Sequence, residues 1–528
     1  VARSYRLVPA RQNSEVRGLL AARLIELGAE VESVTGYALE ASLTRDQLLT
    51  VAELGRRAAR RAVDRLRVGH QPGARHQRRE LRRDHAGLHG PGGASRGDGR
   101  QRRRHHPDLK NRGILFHGSH SGDASHGTPT TGIVFGDGTA NPTARGFMPL
   151  GQPIFADYET LANNRYEHTA ELRTRAVPGG VAVELVGLGS HHQYTAVSAE
   201  LDRIVFELDF LIFNSQSNAG TRDSRPEAWA KNVVSIGGVN HYNTLDTADD
   251  RWAGGGSIGP ASDGRIKPDL AHFWDETIAP AQGGGYTEFG GTSGATPITA
   301  GAAGLMMQMW SAGLFGNPAS GATVFENRPH FSTAKALLIN TATQWNFSGE
   351  TADLTRVHQG WGRVDLERLY GLRNSLFIIN ETDVLTQSQA RTYQLAVAAG
   401  TPELRATLTW ADPPALPSAG VHRVNDLTLK VTAPDGTITF GNNGLLASTF
   451  STPGGTANSI DTVENVFVAN PAVGTWTIEV RADLWPKTAT SRHPPSTRTT
   501  PSSCLGCSAR PPRRRPPCVS PSRSRVRR

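Results

Sequence analysis

Apolar and polar positions follow three patterns along this chain. Over residues 17–27, Leu19, Leu20, Leu24 and Ile25 recur at helical spacing. Residues 31–35 and 37–43 alternate as strands do, and Thr44 opens a helix N-cap pattern ahead of residues 48–54. Residues 5–55 therefore predict a small β-α-β-type module. From Pro107 to about Gly371 the pattern is that of an α/β chain. Runs at 180–188 and 204–213 suit buried strands or helices, and 299–310 and 332–342 predict helices, the first full of small residues. From 376 to 483 the chain turns to short alternating strands, at 404–410, 427–432, 463–468 and 475–480. Turn signals such as Pro434-Asp435-Gly436 separate them, which predicts a β-sandwich or jelly roll.

Two stretches keep no period, and they dominate the charge. Residues 56–104 hold 16 Arg and 4 acids, with no aromatic residue and no Ile. Residues 485–528 hold 11 Lys+Arg, no acid and 9 Pro. The whole chain of 528 residues is +9, yet the other 435 residues carry −14. A nucleic-acid-binding fold needs its basic residues on one folded face, so this distribution argues against that class for the protein as a whole. Each stretch reads as a basic arm for polyanions, a disordered linker or a segment translated out of frame from GC-rich DNA. Arg outnumbers Lys 51 to 6, as GC-rich coding favours.

No run approaches 18 apolar residues, so no transmembrane helix is expected. The chain begins at Val1 without a charged-then-apolar leader; it also lacks an initiator Met, so this says little about export. Cys504, Cys507 and Cys518 all lie in the last stretch, which leaves residues 1–484 with no disulfide framework. Cys504-x-x-Cys507 lacks the rest of a zinc ligand set.

Two motifs carry chemistry. Gly290-Gly291-Thr292-Ser293-Gly294-Ala295-Thr296-Pro297 precedes the small-residue helix. A serine at a helix N-terminus becomes a nucleophile when a base is near, and the free N–H groups there favour an oxyanion. It is not the G-x-S-x-G elbow, because position 295 is Ala. The second motif, Ser125-His126-Gly127-Thr128-Pro129-Thr130-Thr131-Gly132, offers an imidazole at a helix start.

Together, in this order and about 165 residues apart, they resemble the subtilisin-like serine peptidases, the subtilases. The resemblance implies a parallel α/β sheet with helices on both faces. It also implies that Ser293 is the nucleophile and His126 the general base of a serine endopeptidase working through an acyl-enzyme. The segment 211–220 looks like the strand ending in A-G-N, which makes Asn218 the side-chain oxyanion donor. Gln216 and Ser217 stand where Ala-Gly is usual, and Asn214 is a rival. Residues 226–239, Ile266-Lys267-Pro268-Asp269-Leu270 and Gln359-Gly360-Trp361-Gly362 resemble further family segments, and Val186-Gly187-Leu188-Gly189-Ser190 the substrate-binding edge strand.

The implied organisation is a propeptide-like module at 1–55, an aberrant or disordered Arg-rich segment at 56–104 and a catalytic domain at 105–375. A β-sandwich (jelly-roll) domain at 376–484 and a disordered Pro/Arg-rich tail at 485–528 complete it. No cofactor is implied for catalysis; structural calcium is allowed, and Asp426 and Asp461 lie in the domain that would hold it, but no calcium-loop spacing is readable and no metal ligand is assigned. The expected partner is a protein or peptide substrate, with no nucleic acid or membrane, a monomeric state and an extracellular location.

The family's D-[ST]-G motif is absent. It normally lies seven residues before an H-P-D-L, present here as His106-Pro107-Asp108-Leu109, and that position falls in the Arg-rich stretch beside Asp98. Asp98 is the candidate orienting acid, Asp108 reads as a surface or turn residue, and Asp123 is close to His126 only in sequence. An inactive protein of the same fold, whether pseudoenzyme, binding module or frame-disrupted product, is therefore the alternative reading. Polyanion binding through the basic stretches is a third.

Overall fold

The computed structural model describes residues 3–7, 14–34, 39–44, 46–47, 50–51, 106–117, 124–156, 165–175, 181–184, 192–252, 254–319, 327–347, 354–484 and 503–508. The N-terminal part forms β1 (Arg3–Leu7), α1 (Ser14–Glu26), β2 (Glu30–Val34) and β3 (Leu39–Leu43). The sheet order is β1-β3-β2, with Leu24, Ala41 and Leu43 buried beneath α1. Thr44 and Gln47 cap each other's backbone N–H reciprocally, as the N-cap pattern predicts. β1 was not legible in the sequence.

The central part runs β4 (Leu115–Phe116), α2 (Ala124–Phe135), β5 (Ile154–Phe155), α3 (Arg165–Arg175), β6 (Val181–Glu184), α4 (Ala196–Leu208), β7 (Leu211–Ser215), β8 (Val234–Asn240), β9 (Arg251–Trp252) and β10 (Leu270–Phe273). A hairpin of β11 (Thr277–Pro280) and β12 (Tyr286–Phe289) leads into α5 (Thr292–Ser311), α6 (Phe331–Asn340), α7 (Arg356–Gln359) and α8 (Leu366–Leu372). Strands pair in parallel in the order β10-β8-β7-β6, with β9 antiparallel on β8. β4 and β5 form a separate parallel pair. Parallel strands need cover, and α5 lies against all four, burying Ala295, Ala300, Ala302, Ala303 and Met306 in the main core. Small residues are required: a Cβ on Gly301 would sit 2.6 Å from the Cβ of Phe147.

α4 shows how the helices are pinned. Thr195 and Ser198 form a capping box at its start, and Asp209 closes it in the left-handed region at φ 51°. The Asp209 carboxylate also accepts from the Phe331 N–H at 3.0 Å and pairs with His330 and Arg328. Burial alone would raise this carboxyl, but the His330 hydrogen bond and the Arg328 charge hold it at about 2. The native state thus binds fewer protons than the unfolded chain between its pKa and the ordinary value of 3.8, and the stabilisation is lost as pH falls through that window. Urea unfolding at pH 6 and pH 3 should show Asp209→Asn losing about 1 kcal/mol less on acidification than wild type.

The last part contains β13 (Leu376–Ile378), β14 (Ala390–Val397), β15 (Glu403–Trp410), β16 (Asp426–Thr432), β17 (Ile438–Phe440), β18 (Val463–Ala469), β19 (Gly474–Leu484) and β20 (Ser503–Ser508). Two four-stranded antiparallel sheets, β13-β20-β15-β18 and β14-β19-β16-β17, share a core that includes Leu404, Leu408, Leu429 and Ile478. β20 departs from the disordered tail expected at 485–528. It fills the position between β13 and β15, where an unpaired strand edge is a template for another segment.

These sheets are bolted to the central part by buried polar pins. Lys231 donates to Asp412, and Asn232 Nδ2 donates to the Asp412 carbonyl at 2.8 Å. Asp461 accepts from the Ile266 N–H at 2.7 Å, and Arg405 Nη1 donates to the Ala342 carbonyl at 2.7 Å. Asp461 gives its other oxygen to the amides of Asn442 and Asn458. With both oxygens facing N–H donors, Asp461 does not fit a calcium ligand. Among the described residues, no group of three or more His, Cys, Asp or Glu is arranged to hold a metal.

Candidate active site

Ser293 is the second residue of α5 and is partly exposed, so its hydroxyl stands where the helix's free N–H groups gather. The cap, Gly291, has φ 75°, a conformation that suits glycine. Pro297 lies four residues on, where its missing N–H leaves the Ser293 carbonyl outside the helical ladder.

Asn218 approaches from the loop after β7. Its Oδ1 accepts from the Thr292 N–H at 3.1 Å and the Thr292 hydroxyl at 2.7 Å. That fixes the amide and leaves Nδ2 as the donor beside the Ser293 turn. A Cβ on Gly291 would lie 3.1 Å from Nδ2, so glycine also keeps this donor uncovered. The loop is zipped to its neighbour by Ser257 N–H to the Ser217 carbonyl (2.8 Å) and Gly220 N–H to the Gly255 carbonyl (2.8 Å). Ser217 itself takes φ 86°, where the family's usual glycine would be relaxed.

Asn214, the rival, is elsewhere. It is fully buried in β7, and among the described residues neither its amide oxygen nor its amide nitrogen has a hydrogen-bond partner; the same holds for Gln216. Orphaned buried amides cost stability. Gln216→Met keeps the volume and removes both polar atoms, so urea unfolding should show unchanged stability or a gain of about 1–3 kcal/mol.

His126 is the third residue of α2, half-buried and edge-on to Phe289 with ring centroids 5.3 Å apart. Its carbonyl accepts from the Thr130 hydroxyl at 3.2 Å. α2 packs on α5, and the Phe289 carbonyl lies 3.2 Å from where a Cβ of Gly294 would stand. Phe289 thus touches both the histidine segment and the serine turn.

Of the acids, Asp98 and Asp123 lie outside the described residues. Asp108 corrects the surface assignment: it is in a turn but fully buried. Its oxygens accept from the Ala140 N–H at 2.7 Å and the Tyr286 hydroxyl at 2.8 Å. Burial and this carboxylate push the Tyr286 phenol up to about 12. The neighbouring His106 donates from Nε2 to the Gly285 carbonyl at 2.8 Å. Together they clamp the tip of the β11–β12 hairpin, a role no local pattern announced.

A half-exposed serine at a helix N-terminus, an oriented amide beside its turn and an imidazole on a helix packed against the serine's own are set on a parallel α/β sheet. Residues 103–363 match the family described as the Subtilase family, and this part of the chain belongs to that family of serine peptidases. A curated relative is the "Serine protease/ABC transporter B family protein tagB" of Dictyostelium discoideum. It is 28% identical over 280 residues, which cover 41% of this chain and 14% of that protein. Similar solved structures include the prenylagaramide maturation protease PagA, at 17% identity and TM-score 0.39, over 51% of this chain and 88% of that one. Another is a cold adapted subtilisin-like serine proteinase, at 16% identity and TM-score 0.35, over 50% of this chain and 85% of that one. Among the described residues no helix is long and apolar enough to cross a membrane.

Proposed function

We propose that this chain is a serine endopeptidase that cleaves internal peptide bonds of extracellular proteins through an acyl-enzyme. Ser293 attacks the carbonyl while His126 takes its proton and returns it to the leaving amine. The Ser293 N–H and Asn218 Nδ2 hold the oxyanion. The observation that carries this reading is the double acceptance at Asn218 Oδ1, which turns the amide's donor toward the serine turn. The division into a propeptide-like module, a catalytic domain and a β-sandwich belongs to the same proposal. Its support is that the first and last parts each have a cluster of buried residues of their own, while the main core of the central part also takes in Leu445, Val463 and Phe467 of the last.

The inactive reading rests on one observation. The D-[ST]-G acid is missing from the sequence, and among the described residues Asp108 is committed to Ala140 and Tyr286. An unoriented imidazole costs a peptidase about 10⁴ in rate. Incubation with an unfolded protein substrate separates the two. The proposal expects internal fragments from wild type and none from Ser293→Ala. Release of terminal residues alone would contradict endopeptidase action, and equal silence of both proteins would favour the inactive reading.

A further inference from the structure

Trp274 ties the serine turn to a surface beyond it. It lies between β10 and β11, and its carbonyl accepts at 2.7 Å from the N–H of Gly291, the cap of the helix that carries Ser293. Its backbone N–H donates to the Val239 carbonyl at 2.7 Å, so its main chain is held from both sides. The side chain is half-buried, and its six-membered ring lies over glycines. A Cβ would stand 2.3 Å from that ring at Gly238 and 3.1 Å at Gly255. The Gly255 carbonyl receives the Gly220 N–H at 2.8 Å, two residues on from Asn218.

The residue after Trp274 adds a second aromatic ring. Asp275 accepts from the N–H groups of His241 and Tyr242 at 2.8 and 3.0 Å, and from His241 Nδ1 at 2.8 Å. These bonds fix the start of a turn in which Tyr242 takes φ 50° and Asn243 φ 54°. A bulky side chain in the left-handed region is strained, and such strain gathers at sites that bind or react. Tyr242 is 51% exposed, so packing of its ring inside the fold does not account for the conformation.

This surface lies on the leaving-group side of the serine. His126, which under the peptidase reading on which this inference rests hands its proton to the departing amine, meets Phe289 edge-on. Gly290 follows Phe289, and a Cβ there would stand 2.6 Å from the Trp274 carbonyl oxygen and 4.0 Å from Asp275 Cα. We propose that Trp274 and Tyr242 form a ledge that recognises apolar side chains in the half of the substrate that follows the scissile bond. The substrates are then proteins with Leu, Met, Phe or Tyr directly after the cut. A flat indole half open to solvent offers apolar contact without a polar group to satisfy. The Asp275 oxygens are engaged by three N–H donors, so the ledge takes apolar surface and not a basic side chain. Its continuity with the serine turn, through the Gly291 N–H, is what assigns it to substrate.

Two readouts test it. Mass spectrometry of the fragments from an unfolded protein maps the residue after each cut. Leu, Met, Phe and Tyr should stand there about fivefold above their share in the substrate. Trp274→Ala should abolish the enrichment, and Tyr242→Ala, a change at an exposed position that spares the fold, should reduce it. The second readout needs no turnover: fluorescence anisotropy of short dye-labelled peptides, with the free amine of a leaving half, on Ser293→Ala. A peptide that begins Phe-Leu should bind about fivefold more tightly than one that begins Gly-Gly, and adding Trp274→Ala or Tyr242→Ala should shrink that difference. Wild type that cuts without preference on the leaving side, or variants that keep the preference and the difference in binding, would overturn the ledge. A silent wild type whose peptide binding still depends on Trp274 and Tyr242 would sink the peptidase reading and uphold the ledge.

Discussion

Asp269→Ala loses about 3–5 kcal/mol of stability, the largest loss expected from a single change in this protein. Asp269 is fully buried and holds two lysines: Lys267 Nζ at 2.6 Å and Lys335 Nζ at 2.8 Å. It also accepts from the Ser235 N–H at 2.9 Å, and its carbonyl receives the Trp361 N–H at 2.9 Å. Removing the carboxylate leaves two ammonium groups in the core with carbonyls alone for partners. Burial already pushes Lys267 down to about 7. A lysine that titrates lower in the folded state than in the unfolded chain binds fewer protons there, so stability rises with pH between the two values. Urea unfolding of Asp269→Ala should therefore show part of the loss recovered from pH 7 to pH 10. A variant as stable as wild type at pH 7 would contradict the assignment.

Asn218→Ala lowers kcat by about 10²–10³ with KM nearly unchanged. The amide donor meets charge that develops only in the transition state, so ground-state binding of substrate is spared. Thr292→Ala, which removes one of the two donors that aim the amide, should lower kcat in the same direction by less. Asn214→Ala should leave kcat alone, because Asn214 is sealed inside β7. Steady-state kinetics on an internally quenched peptide reads all three. Equal losses for Asn218→Ala and Asn214→Ala would break the distinction drawn between them.

Much of the fold was legible because it rests on local signals. The small-residue run after Ser293 became α5, and the alternation at 404–410 became β15. The Thr44-x-x-Gln47 pattern became a cap. Ser293, His126 and Asn218 were all candidates through the family resemblance of their motifs, and that resemblance left Asn214 beside Asn218. Only the three-dimensional placement of Thr292 separates the two amides. What stayed hidden are contacts between distant segments. Lys231 and Asp412 are 181 residues apart, and nothing local marks either as half of a buried pair. Asp108 looked like an ordinary turn acid, because its partners Ala140 and Tyr286 lie 32 and 178 residues away. β20 was hidden by composition, since a short strand in a Pro/Arg-rich tail shows itself only when a sheet edge receives it.

The central claim is that Ser293 is an activated nucleophile and His126 its base. Labelling with a fluorophosphonate, which modifies only activated serines, tests it most directly. The account predicts labelling of wild type, none of Ser293→Ala, and a rate reduced by about 10²–10⁴ in His126→Ala. Wild type that labels no better than Ser293→Ala would contradict it.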